Sequence, residues 1–101
     1  MSAVVYVVDL DVEAALANEY LAWLREHVRE MLALPGFAAA QIYERLETSS
    51  PGRVAYSVHY RLRDRASYDA YLREHAPRMR AAGARFADRV HASRRLLRTL
   101  E

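Results

Sequence analysis

The chain has 101 residues, 52% of them hydrophobic and 28% charged, with a net charge of +2, which is the composition of one ordinary globular domain spanning 1–101. No apolar run reaches the roughly 18 residues of a membrane span, no basic n-region and apolar h-region open the chain, and zero cysteines exclude disulfides and thiolate chemistry. A cytoplasmic protein is therefore expected. The charge is divided unevenly: residues 1–52 carry eight acids against three arginines, and residues 53–101 carry five acids against twelve. No lysine is present. Such asymmetry fits either a nucleic-acid surface or two halves that attract one another. The second is preferred, because no aromatic-arginine RNA motif or recognition helix accompanies it.

In chain order, AVVYVVDLD (3–11) is β-branched and aromatic and predicts a strand. Asp11 is the expected cap of a helix over 12–34, where Leu16, Tyr20, Trp23, Leu24, His27, Val28 and Met31 follow helical spacing. Pro35-Gly36 ends it. A second strand is expected over 38–48 and a turn over SSPGR (49–53). VAYSVHYRLR (54–63) alternates most clearly. Val54, Tyr56, Val58, Tyr60 and Leu62 take one face, and His59, Arg61 and Arg63 the other. Asp64 should cap a second helix with Tyr68, Tyr71, Leu72, His75 and Met79 in its stripe. Pro77 should kink or restart that helix, because it removes a backbone donor. Gly83 is the expected stop, and RVHASRRLLRTL (89–100) reads as a last strand.

The first helix repeats in the second. YLAWLREHVREM (20–31) and YDAYLREHAPRM (68–79) are identical at seven of twelve positions. Each half reads as strand–helix–strand. The order βαββαβ predicts an α+β, ferredoxin-like domain, a four-stranded antiparallel sheet with two helices on one face. Its other face, carrying apolar residues from the first strand, must be buried on something. A second copy packed sheet to sheet is the economical partner.

These residues carry a resemblance. YLREHAPRM (71–79) looks like the Tyr-Leu-x-x-His-x-Pro helix of dimeric α/β-barrel proteins. The whole chain resembles a bacterial domain-of-unknown-function family of about 100 residues, an ordinary domain size. It does so through Trp23-Leu24, Gly36-Phe37, Tyr56 to Tyr60, Tyr71-Leu72, Ala76-Pro77, Arg85-Phe86 and Arg95-Leu96-Leu97. The resemblance implies the dimeric α/β-barrel superfamily, which includes antibiotic biosynthesis monooxygenases, haem proteins, lactone isomerases and ligand-sensing domains. Fold does not choose among these. In the first helix Arg29 stands where the second has Pro77, so the two halves are not chemically equivalent.

The four histidines include no pair at metal-binding i, i+4 spacing, and no metal or cofactor is signalled. On an apolar stripe a histidine is more often a hydrogen-bonded core residue than a ligand. The functional reading makes His75 a general base or an axial ligand lining a cavity between helix and sheet. Tyr20, Trp23, His27, Tyr56, Tyr60 and Tyr71 are the candidate ligand-binding residues, with aromatic core as the plainer reading. Arg94, Arg95 and Arg98 form the densest basic run. It could hold an anion or guard an edge strand. The expected protein is a homodimer that binds a small molecule. The alternative is a cofactor-independent monooxygenase- or isomerase-like enzyme, and the second alternative is nucleic-acid or regulatory binding through the basic half.

Overall fold

A computed structural model describes residues 2–47 and 50–101. The chain runs β1 (Val4–Glu13), α1 (Ala17–Leu32), β2 (Phe37–Glu44), β3 (Arg53–Leu62), α2 (Arg65–Glu74), α3 (Ala76–Ala81) and β4 (Val90–Arg98). The four strands form one antiparallel sheet in the order β2-β3-β1-β4. This is the expected ferredoxin-like arrangement, with the third helix short.

The register fixes which side chains meet. Tyr6 lies opposite Tyr60 and Leu96, Val8 opposite Val58 and Arg94, and Leu10 opposite Tyr56 and Ala92. Because strand side chains alternate, these rows share the face under the helices. Tyr6, Leu10, Val58 and Tyr60 are buried there against Tyr20, Leu24, Val28 and Met31 of α1. The opposite rows put Val5 with Arg61 and Leu97, Val7 with His59 and Arg95, and Asp9 with Ser57 and Ser93 on the open face.

Two boundaries differ from the expected ones. Asp11 does not cap the first helix. β1 continues to Glu13 because Val12 is fully buried between Val54 and Val90, while the Asp11 carboxylate accepts a 2.8 Å bond from Arg53 Nε. Burial of a valine across three strands outweighs one cap. A 3-10 turn at Ala14–Leu16 then leads into α1. β2 ends at Glu44, and of the residues expected to extend it, Thr48 lies outside the described residues, as does Ser49 of the expected turn. Asp64 does cap α2: its carboxylate accepts from the Ser67 amide and hydroxyl, each at 2.8 Å. Pro77 produces a restart rather than a kink. α2 stops at Glu74, His75 breaks helical geometry at φ −128°, and Pro77 sits in the first turn of α3, where its missing donor costs nothing.

At the α1–β2 turn, Gly36 has φ +85°, and a Cβ there would run into the Ser67 side chain. Glycine satisfies both the left-handed backbone and the close approach. Among the described residues no helix is long and apolar enough to cross a membrane.

Candidate functional site

Between α1 and the sheet lies a cavity of about 290 Å³. β1, β3 and β4 form its floor through Tyr6, Val8, Leu10, Val58, Tyr60, Ala92 and Arg94. One wall is α1, whose residues Tyr20, Trp23, Leu24, His27 and Met31 fall at 3.6-residue spacing on the same helical face. Tyr71 of α2 closes one end. Met79 and Arg80 of α3, with the 3-10 turn Ala84–Phe86, cover the rest.

Two aromatic groups hold this shape. Tyr6 packs on Tyr60 at 5.8 Å and on Tyr71 at 5.7 Å between ring centroids, and Phe37 wedges edge-on against both Tyr60 and Tyr71. On the far side Phe86 packs edge-on against Tyr20 at 5.1 Å and Trp23 at 5.6 Å. Tilted and T-shaped pairs of this kind each contribute about 0.5–1.5 kcal/mol beyond burial. The walls are therefore stiff while the space between them stays open.

The polar groups are few and distinctive. The His27 ring stacks on Trp23 at 4.7 Å and 16°, and its Nδ1 is buried with no hydrogen-bond partner. Buried polar atoms are ordinarily paired, so this nitrogen is unusual. Burial pushes the imidazole below its ordinary pKa, against a weaker opposing pull from Glu30, so the ring is neutral at pH 7. Burial likewise raises the phenols, Tyr20 to about 12, with Arg94 opposing, and Tyr60 and Tyr71 further still. All three are hydrogen-bond donors across the physiological range. Arg80 Nη2 donates to the Tyr6 hydroxyl at 3.4 Å.

The structure thus gathers five of the expected residues, Tyr20, Trp23, His27, Tyr60 and Tyr71, around one space. Tyr56 does not join them. It faces the same side of the sheet but meets a second, shallower groove with Leu21, Arg25 and Glu44. His75 is not among the residues that line this cavity. At the break between α2 and α3 its Nδ1 faces Arg78 Nη2 at 2.8 Å. Pro77 forces the helix to stop there, so the second copy of LREH loses the helical phase that the first copy keeps. Sequence reasoning missed Tyr6, Arg80, Phe86 and Arg94 as wall residues. Among the described residues no group of three or more His, Asp or Glu side chains could hold a metal ion.

Comparison with solved structures places this geometry in a known fold. A point mutant of the cofactor-independent oxygenase SnoaB from Streptomyces nogalater superposes with a TM-score of 0.77 at 14% identity, over 100% of this chain and 96% of that one. A candidate antibiotic biosynthesis monooxygenase from Deinococcus radiodurans gives 0.75 at 16% identity, covering 97% and 93%. A dimeric ferredoxin-like protein of unknown function from Thermobifida fusca gives 0.67 at 13% identity, covering 97% and 92%. No curated relative matches the chain. At these identities the likeness establishes the fold. The model of the family described as Domain of unknown function (DUF4286) matches residues 3–100, and the chain belongs to that family.

Proposed function

We propose that this protein is a cytoplasmic homodimer whose cavity between α1 and the sheet binds a small, largely apolar molecule. The observation that carries the reading is the aromatic cavity of about 290 Å³ lined by Tyr20, Trp23, His27, Tyr60 and Tyr71. Small-molecule sites combine an apolar lining with a few placed polar groups in this way, at volumes from about 300 Å³ upward. The dimer is supported by the open face of the sheet, where half-buried Val5 lies beside Leu97, which is 46% exposed. The likeness to the dimeric Thermobifida fusca protein points the same way.

A second reading is enzymatic and is favoured by one feature. His27 lines the cavity and burial holds its ring neutral, the form a general base needs. The role first expected of His75 passes to His27 in this reading, with the Tyr20 or Tyr71 phenol as proton donor to a substrate. SnoaB, of the same fold, is described as a cofactor-independent oxygenase. Nucleic-acid binding is less well supported. The C-terminal arginines do not form one patch, since Arg94 and Arg98 lie on the helix side of the sheet and Arg95 on the open side, beside Asp9 at 3.6 Å.

Native mass spectrometry of protein purified from its own host tests the binding reading. It should show a dimer carrying one small adduct per chain, which is released on denaturation. Only bare chains, with no aromatic compound retained after incubation at millimolar concentration, would overturn it. The enzymatic reading adds that His27→Gln abolishes turnover of the identified compound while leaving it bound.

A further inference from the structure

The cavity's charge distribution says more about its occupant than its shape does. Among the described residues lining it are two guanidiniums, Arg80 and Arg94, and no carboxylate. Three arginines on or beside the sheet face acids. Arg53 meets Asp11 at 2.8 Å, Arg89 meets Glu13 at 3.4 Å, and Arg95, next along β4 from Arg94, meets Asp9 at 3.6 Å. Arg94 points to the other side and makes no ion pair among the described residues. The side-chain partner of Arg80 is the neutral Tyr6 hydroxyl, at a long 3.4 Å. The two arginines come from different elements, α3 and β4, yet both act electrostatically on the Tyr68 and Tyr71 phenols. Both therefore border the same cavity, whose lining holds no carboxylate.

We infer that the cavity takes an amphipathic anion: a planar hydrophobic body against Trp23 and the sheet, with one carboxylate-type group held between Arg80 and Arg94. This rests on the reading of the cavity as a small-molecule site and adds the class of ligand. A guanidinium presents a planar fork that matches a carboxylate with two parallel bonds, and both arginines are exposed, so the anionic group sits at the mouth of the cavity with the ring system inside. The aromatic walls disfavour a bare hydrated anion such as inorganic phosphate, which would have to shed its water against rings. Neutral His27 and the protonated phenols complete the fit. They add no negative charge to repel the ligand, and Tyr20 offers a donor to its ring substituents.

The test uses a matched pair of probes, 2-naphthoate and 2-naphthamide, which share a ring system and differ in charge. Trp23 is the single tryptophan of the chain and lies in the cavity wall, so its indole N–H signal in a proton–nitrogen correlation spectrum reports occupancy of this site. Calorimetry supplies the affinities. The expected result is that both probes move the Trp23 signal and that naphthoate binds on the order of tenfold tighter at low salt, the advantage shrinking as salt screens the arginines. Arg94→Gln and Arg80→Gln should each erode that advantage, and Arg94→Lys, which keeps the charge but loses the planar fork, should retain only part of it. Equal affinity for the two probes, with the Trp23 signal moved by both, would overturn the anion inference and leave the pocket standing. A naphthoate preference that survives in both glutamine variants would overturn the assignment to these arginines. A Trp23 signal that neither probe moves at millimolar concentration would overturn the inference and the pocket reading together.

Discussion

Replacing His27 with phenylalanine should raise the stability of the unliganded protein. The wild-type imidazole buries an unpaired Nδ1, and a buried polar atom without a partner costs about 1–3 kcal/mol. Phenylalanine removes that atom and keeps the flat ring stacked on Trp23. Its extra volume projects toward the cavity rather than into packed core, so the overpacking penalty is small. His27 is only half-buried, which places the net gain near the low end, about 1 kcal/mol, or roughly 4–8 °C in Tm for a domain of this size. The gain should grow in acid. The folded-state pKa of His27 lies below its unfolded value of about 6.5, so between those two values the unfolded chain binds more protons and wild-type stability falls as pH drops. The phenylalanine variant lacks this loss. Urea unfolding at pH 8 and pH 5 measures both effects. A variant that loses more than about 1 kcal/mol, or a difference from wild type that shrinks toward pH 5, would refute the argument that His27 is held at a cost for something other than the fold.

Three further outcomes follow from the same structure. Gly36→Ala should cost about 3 kcal/mol, from the strained positive φ and the collision with Ser67, and a Tm within a few degrees of wild type would contradict this. Absorbance titration at 295 nm should find Tyr20, Tyr60 and Tyr71 un-ionised well past the ordinary phenol value of about 10. Because their folded pKa values are raised, stability should be lost as pH climbs above that value, and phenols that all ionise near 10 in the folded protein would contradict the buried placement. Leu97→Glu, on the open face, should leave the thermal transition of the single chain intact but convert a dimer to a monomer in sedimentation; an unchanged sedimentation coefficient would remove this face from the interface.

How much of this is legible in the sequence depends on whether one face of an element is buried. β3 is readable because Tyr56, Val58, Tyr60 and Leu62 alternate strictly with more polar residues. α1 is readable because five apolar or aromatic positions keep helical phase from Tyr20 to Met31. Local chemistry misleads at Asp11, where a good capping residue is overruled by pairing of Val12 on both sides. The turn that brings Phe86 over the cavity is invisible because its Ala- and Arg-rich surroundings carry no period. The same limit hides Arg80. Arg94 stands out as part of a basic run, but its direction depends on a register that opposes it to Val8, and no local pattern sets that register.

The duplicated LREH shows the limit most clearly. Identical tetrapeptides put Trp23-supported His27 into a cavity wall and His75 against Arg78, because only the second is followed by a proline that ends its helix. Spacing inside the repeat does not separate the two histidines. The residue at the tenth position of the twelve-residue block, Arg29 in one copy and Pro77 in the other, does.

The central claim is that the space between α1 and the sheet is a binding site rather than a packing defect. The most direct measurement is the position of the Trp23 indole N–H signal during titration with a small panel of planar aromatic compounds. The account predicts saturable movement at one ligand per chain, with Phe86 and Tyr20 resonances shifting in step. A Trp23 signal that stays fixed throughout, while resonances of the open sheet face or none at all respond, would contradict it.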